Sequence, residues 1–62
     1  MRETTKQKIN KLLGVVDYKA VPRGTIVSLN HIEDAAEYKD AVKYLLRHKI
    51  IAVAGIRYVY SY

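Results

Sequence analysis

Cysteine is absent from this chain of 62 residues, so no disulfide framework and no thiolate metal site can staple it. Small secreted domains usually depend on such staples, which makes an intracellular, cytoplasmic protein the expectation. Long apolar runs are missing too. The longest, residues 50–54, falls far short of the roughly 20 residues of a membrane span. The opening MRETTKQK is charged and polar, with no apolar run behind it to make a secretion signal. No membrane partner is expected. The three glycines are scattered and form no phosphate loop. The two histidines, His31 and His48, stand in no H-x-x-x-H or H-x-x-E spacing, so neither a metal nor a cofactor is expected. The four carboxylates at positions 33, 34, 37 and 40 crowd a short stretch and read as solvated rather than held in a dry pocket for acid–base work. The chain is not expected to be an enzyme.

What is present is apolar content and positive charge. Half of the residues are hydrophobic, too many for a disordered tail. Residues 1–62 hold one domain. A chain of this size buries only roughly 60% of the surface its unfolded form exposes. Such a thin core needs good helix packing or a second copy, so a homodimer is one expectation. The formal net charge is +5, and a basic balance of this size favours an acidic partner, nucleic acid first.

The charge is unevenly spread. Arg2, Lys6, Lys8, Lys11, Lys19 and Arg23 against Glu3 and Asp17 give residues 1–23 a local +4. Lys39 against Glu33, Asp34, Glu37 and Asp40 gives residues 24–40 a local −3. Lys43, Arg47, Lys49 and Arg57, with no acid, make residues 41–62 another +4.

Periodicity places the elements. Ile9, Leu12, Leu13 and Val16 recur at i, i+3, i+4 and i+7, which predicts a helix over residues 4–16, with Gly14 able to stop it near Leu13. Thr4 with Gln7 has capping-box spacing. Val21-Pro22-Arg23-Gly24 reads as a turn within a loop over 17–24. Residues 25–29 are β-rich and predict a short strand. Asn30 with Glu33 offers a cap for one helix, or two with a break near 36–38, running to about Lys49. Centring its apolar face on Val42 puts Ala35, Tyr38, Leu45 and Leu46 inside, and Asp40, Lys43, Tyr44 and Arg47 outside. Residues 50–53 and 56–60 predict a hairpin around Ala54-Gly55. Tyr58, Tyr60 and Tyr62 alternate to one side of the last strand. They read as a packed or dimer-facing surface, or as a stacking platform for single-stranded bases.

This order resembles the winged helix-turn-helix superfamily of DNA-binding proteins. The residues that carry the likeness are T-I-V-S-L-N-H-I-E-D-A, then A-V-K-Y-L-L-R-H-K-I-I-A-V, then G-I-R-Y-V-Y. They look like the strand entering the helix-turn-helix, a recognition helix running into the first wing strand, and a very short wing. The likeness implies a small α+β winged-helix domain that regulates transcription by binding duplex DNA in a sequence-specific way. It implies that Lys39, Lys43, Tyr44 and Arg47 meet the major groove, and that Arg57 on the wing reaches a phosphate or the minor groove. Arg2, Lys6, Lys8 and Lys11 would then contact the phosphate backbone as auxiliaries. The family usually has glycine after the recognition helix; here Lys49 stands there and must adopt the left-handed conformation or end the helix differently. RNA, or an acidic protein bound through the same fold, are the alternative partners.

Overall fold

The computed structural model describes residues 4–62. Helix α1 (Thr5–Leu13) starts where the capping box predicts it. The Gln7 N–H donates to Thr4 Oγ1 at 3.1 Å, and the Thr4 N–H donates to Gln7 Oε1 at 2.9 Å. The helix ends at Gly14, whose φ of 69° is the left-handed conformation glycine adopts without steric cost. The Gly14 N–H donates to the Lys11 carbonyl and the Val15 N–H to the Asn10 carbonyl. That pair of bonds is a Schellman motif, and it satisfies two carbonyls the helix end would otherwise leave open. Val16, counted in the apolar stripe, lies beyond the end and is exposed.

A 3₁₀ turn (Tyr18–Ala20) follows, capped by the Asp17 carboxylate, which accepts from the Lys19 N–H. It sets Tyr18 into the core.

The expected strand over 25–29 shrinks to a single bridge, Ile26 opposite Val59. The backbone still pairs there: the Val27 N–H donates to the Tyr58 carbonyl at 2.8 Å and the Tyr60 N–H to the Thr25 carbonyl at 3.0 Å. Pairing stops because the chain then turns inward to bury Leu29.

The cap at Asn30 is not used. The Ile32 N–H donates to the Leu29 carbonyl, making a turn where a second helix was expected. Helix α2 (Ala35–Arg47) begins four residues later, capped by Asp34, whose carboxylate accepts from the N–H groups of Ala36 and Glu37. Glu37 sits in its first turn, where a negative charge favours the helix dipole. The helix is a single one, with no break at 36–38.

At its far end the same Schellman geometry recurs with lysine in the glycine position. Lys49 has φ 59°. Its N–H donates to the Leu46 carbonyl at 3.0 Å, and the Ile50 N–H to the Leu45 carbonyl at 2.9 Å.

The chain then enters an antiparallel hairpin, β1 (Ile51–Ala54) and β2 (Arg57–Tyr60). Ile51 pairs with Tyr60 and Ala54 with Arg57, so the turn is Gly55-Ile56, one residue later than the sequence indicated. Gly55 has φ 65°, a positive value that two-residue hairpin turns require at their first central position. β2 is therefore bonded on both sides, to β1 and to residues 25–27. The whole is a small α+β arrangement of two helices and an antiparallel hairpin.

The core forms where these elements meet. Ile9 and Leu13 of α1, Val42 and Leu45 of α2, Ile51 of β1 and Tyr60 of β2 pack with Tyr18, Leu29 and Ile50. Leu45 and Ile51 are fully buried, and each such side chain contributes about 1.5–3 kcal/mol relative to an exposed one. Among the described residues no helix is long and apolar enough to cross a membrane.

Candidate nucleic-acid interface

Burial fixes which faces of α2 are free. Ala41, Val42 and Leu45 are buried, so at about 100° per residue the inward stripe is centred between Val42 and Ala41, not on Val42. That rotation corrects several expectations. Ala35 and Tyr38, expected inside, are exposed. Tyr44, expected on the polar face, is half-buried and packs against the core. The Lys8 ammonium lies 4.3 Å from the centre of its ring, and the His48 ring packs beside it at 4.3 Å between centroids. Tyr44 is a wall between the helices rather than a free groove-reading side chain.

Lys39, Lys43 and Arg47 are exposed. Spaced four apart, they form a ridge along the outward side of α2. Among the described residues only Lys6 and Asp17 lie within ion-pair distance, at 3.7 Å, so none of the three is held by a carboxylate. Arg57 is also exposed, at the first position of β2. It lines a shallow groove with Tyr38 of α2, Ile26, Ile56 and Tyr58. The hairpin tip therefore lies beside Tyr38 in the N-terminal half of α2, with Lys39 about 100° further round the helix. Arg57 thus shares a groove with Tyr38 of α2, while Lys39, Lys43 and Arg47 run along the outward side of that helix.

The α1 cations are placed differently. Arg2 lies outside the described residues. Lys6 faces Asp17, and Lys8 is drawn over Tyr44. Lys8 lines a cleft between α1 and α2 whose opposite wall carries Asp34, Glu37 and Asp40, and Lys8 and Lys11 line a second one that holds Glu37. The acidic stretch thus turns largely toward α1, and it separates the α1 lysines from the α2 ridge. The auxiliary set and the ridge are not one continuous positive surface.

The tyrosines of the last strand are core groups. Tyr60 is buried, and Tyr58 and Tyr62 pack against the same cluster. Tyr62 meets Tyr18 edge-on at 5.4 Å and Tyr60 edge-on at 6.2 Å. Rings engaged in this way do not offer the open faces a stacking platform needs. Burial, and after it the nearby Tyr62 phenol, pushes the Tyr60 phenol pKa above its ordinary value.

Two contacts had no signal in the sequence. Arg23 donates through Nε and a terminal nitrogen to the Tyr62 carbonyl, at 3.1 and 2.9 Å. His31 donates from Nε2 to the Leu12 carbonyl at 3.0 Å, with its ring against Gly14. Both are links between distant segments, and both occupy residues that local patterning leaves free. Compared with known protein families, curated proteins and solved structures, the chain matches none of them.

Proposed function

We propose that this chain is a small winged-helix-like protein that binds duplex DNA, with α2 as its recognition helix and the β1–β2 hairpin as a short wing, and that it acts in transcription regulation. The observation that carries this reading is the exposed ridge of Lys39, Lys43 and Arg47, none of them held in an ion pair among the described residues, with Arg57 exposed on the hairpin. A helix about 10–12 Å across fits the major groove, which is roughly 12 Å wide. On such a helix, cations four residues apart can follow the phosphates or reach guanine edges. The bridge from residues 25–27 to β2 supports the reading as well, since it fixes the hairpin against the rest of the domain. The turn at 29–32 replaces the helix that precedes the recognition helix in the superfamily, so the likeness is to the wing and recognition helix more than to a full helix-turn-helix. One such module makes a small interface, and a homodimer would double it.

The experiment is a fluorescence-anisotropy titration of labelled random duplex DNA at two salt concentrations. Four cations neutralising four phosphates give a log–log salt slope of about −3.6, so a fourfold rise in salt weakens binding roughly a hundredfold. Reversing the ridge in a Lys43→Glu/Arg47→Glu variant lowers affinity at least as much at low salt and cuts the slope by roughly half. No binding by the wild type at low salt would refute the DNA reading. It would shift attention to a protein partner for the two-signed cleft between α1 and α2. Preference for structured RNA in competition would reassign the nucleic acid.

A further inference from the structure

Ile56 stands at the tip of the hairpin and is 97% exposed. Two-residue hairpin turns ordinarily place asparagine, aspartate, serine or glycine there, because the backbone wants them and water surrounds them. An isoleucine at this point packs against nothing that folding requires. Even a Cβ added to the neighbouring Gly55 would meet open space, so the end of the turn is open to solvent. It is also firmly based: β2 is bonded to β1 on one side and to residues 25–27 on the other. A β-branched side chain has few rotamers to lose on contact.

The surroundings select the kind of contact. The groove behind the tip is lined by Ile26, Tyr38 and Arg57 and by no carboxylate, and Lys39 follows Tyr38 in α2. An apolar point next to an exposed arginine, above a groove without carboxylates, suits a surface that is negatively charged outside and apolar within. Stacked base pairs behind their phosphates are such a surface. We propose that Ile56 is an apolar wedge that enters the minor groove of duplex DNA and partly opens one base step. This rests on the DNA-binding reading above. Width supports the assignment, because the minor groove is only about 6 Å across. It excludes α2 but admits a single side chain at the end of a tight turn. Partly unstacked steps of this kind kink the duplex away from the wedge, and pyrimidine–purine steps such as TA yield most readily.

The test uses the whole chain and two end-labelled duplexes, one with a central TA step and one without pyrimidine–purine steps, read by energy transfer for bending and by anisotropy for affinity. Wild type is expected to shorten the end-to-end distance of the TA duplex and to prefer it severalfold. Ile56→Asn, which suits the turn and so folds, should abolish the bend and the preference. It should also weaken binding to the TA duplex by about tenfold, the scale of one apolar side chain left unburied, while leaving the salt slope unchanged. Arg57→Ala should instead reduce that slope by about 1. Wild-type binding without bending, or an Ile56→Asn variant that bends and binds as wild type does, overturns the wedge and leaves the DNA reading standing. If the substitution instead turns a sedimenting dimer into a monomer while bending persists, the tip is a self-association contact and the wedge is overturned. Absence of any DNA binding at low salt overturns both.

Discussion

Replacing Lys49 by glycine should stabilise the protein. Lys49 occupies the left-handed region, φ 59°, to close the Schellman motif after α2. For a residue with a Cβ this conformation costs roughly 1–2 kcal/mol. Glycine removes the cost but brings greater unfolded-state freedom, worth about 0.5–1 kcal/mol in the opposite direction. The two hydrogen bonds of the motif, to the Leu46 and Leu45 carbonyls, are made by backbone and survive. The lysine side chain is exposed, so little packing is lost. The net gain should be about 0.5–1 kcal/mol, which for a domain of this size raises Tm by roughly 2–8 °C. Lys49→Ala is the control. It deletes the same charge while keeping the strain, and should stay within about 0.5 kcal/mol of wild type. Thermal and urea unfolding followed by circular dichroism read both variants. If glycine is no more stable than alanine, the left-handed geometry at position 49 is not what limits this turn, and the reasoning is refuted.

Gly14→Ala should destabilise by at least about 1–2 kcal/mol, because φ is 69° and the new Cβ would lie 3.0 Å from the His31 ring; urea midpoints measure it, and an unchanged midpoint would refute the contact. Alkaline pH should weaken the fold through Tyr60. Its phenol is raised above the ordinary value of 10.0 by burial and by Tyr62, so above that pH the folded state holds more proton than the unfolded chain. Its contribution is fully present below about pH 10 and is lost as pH rises through the raised value. Tyr60→Phe should flatten the stability profile above pH 10, as pH-dependent urea melts would register.

The parts legible in the sequence were those decided within a few residues. Thr4 and Gln7 announce the start of α1, Gly14 its stop, and Gly55 the hairpin. Lys49 in the place of glycine leaves two outcomes open in the sequence, a left-handed residue or a different helix end, and the structure takes the first. The start of α2 was misplaced because Asn30 with Glu33 and Asp34 with Glu37 have the same spacing. Burial of Leu29 decides between them, since the inward turn that hides it uses up the residues a helix from Asn30 would need. An apolar face centred on Val42 leaves Tyr44 outside, whereas the observed rotation brings it against the core. Its ring serves as core wall while Lys8 covers it. For the candidate interface, Lys39, Lys43 and Arg47 were readable from their spacing. The separation of the α1 lysines by Asp34, Glu37 and Asp40 depends on how the two helices face each other, which spacing along either one does not encode. The bonds from Arg23 to the Tyr62 carbonyl join residues 39 apart in sequence, and no local pattern marks them.

β2 is the last of the elements in chain order and the only strand bonded on both edges among the described residues. During synthesis at about 5–20 residues per second, α1, the 25–27 segment, α2 and β1 all emerge before the strand that joins them. Until β2 clears the ribosome, the Thr25 and Ile50 carbonyls lack their Tyr60 and Ser61 donors, and Tyr60 is missing from the core. The nascent chain can form its helices but cannot close its sheet. Closure of the sheet therefore waits on the synthesis of β2, and a chain cut short before it loses Tyr60 from the core and the strand that bonds both β1 and residues 25–27.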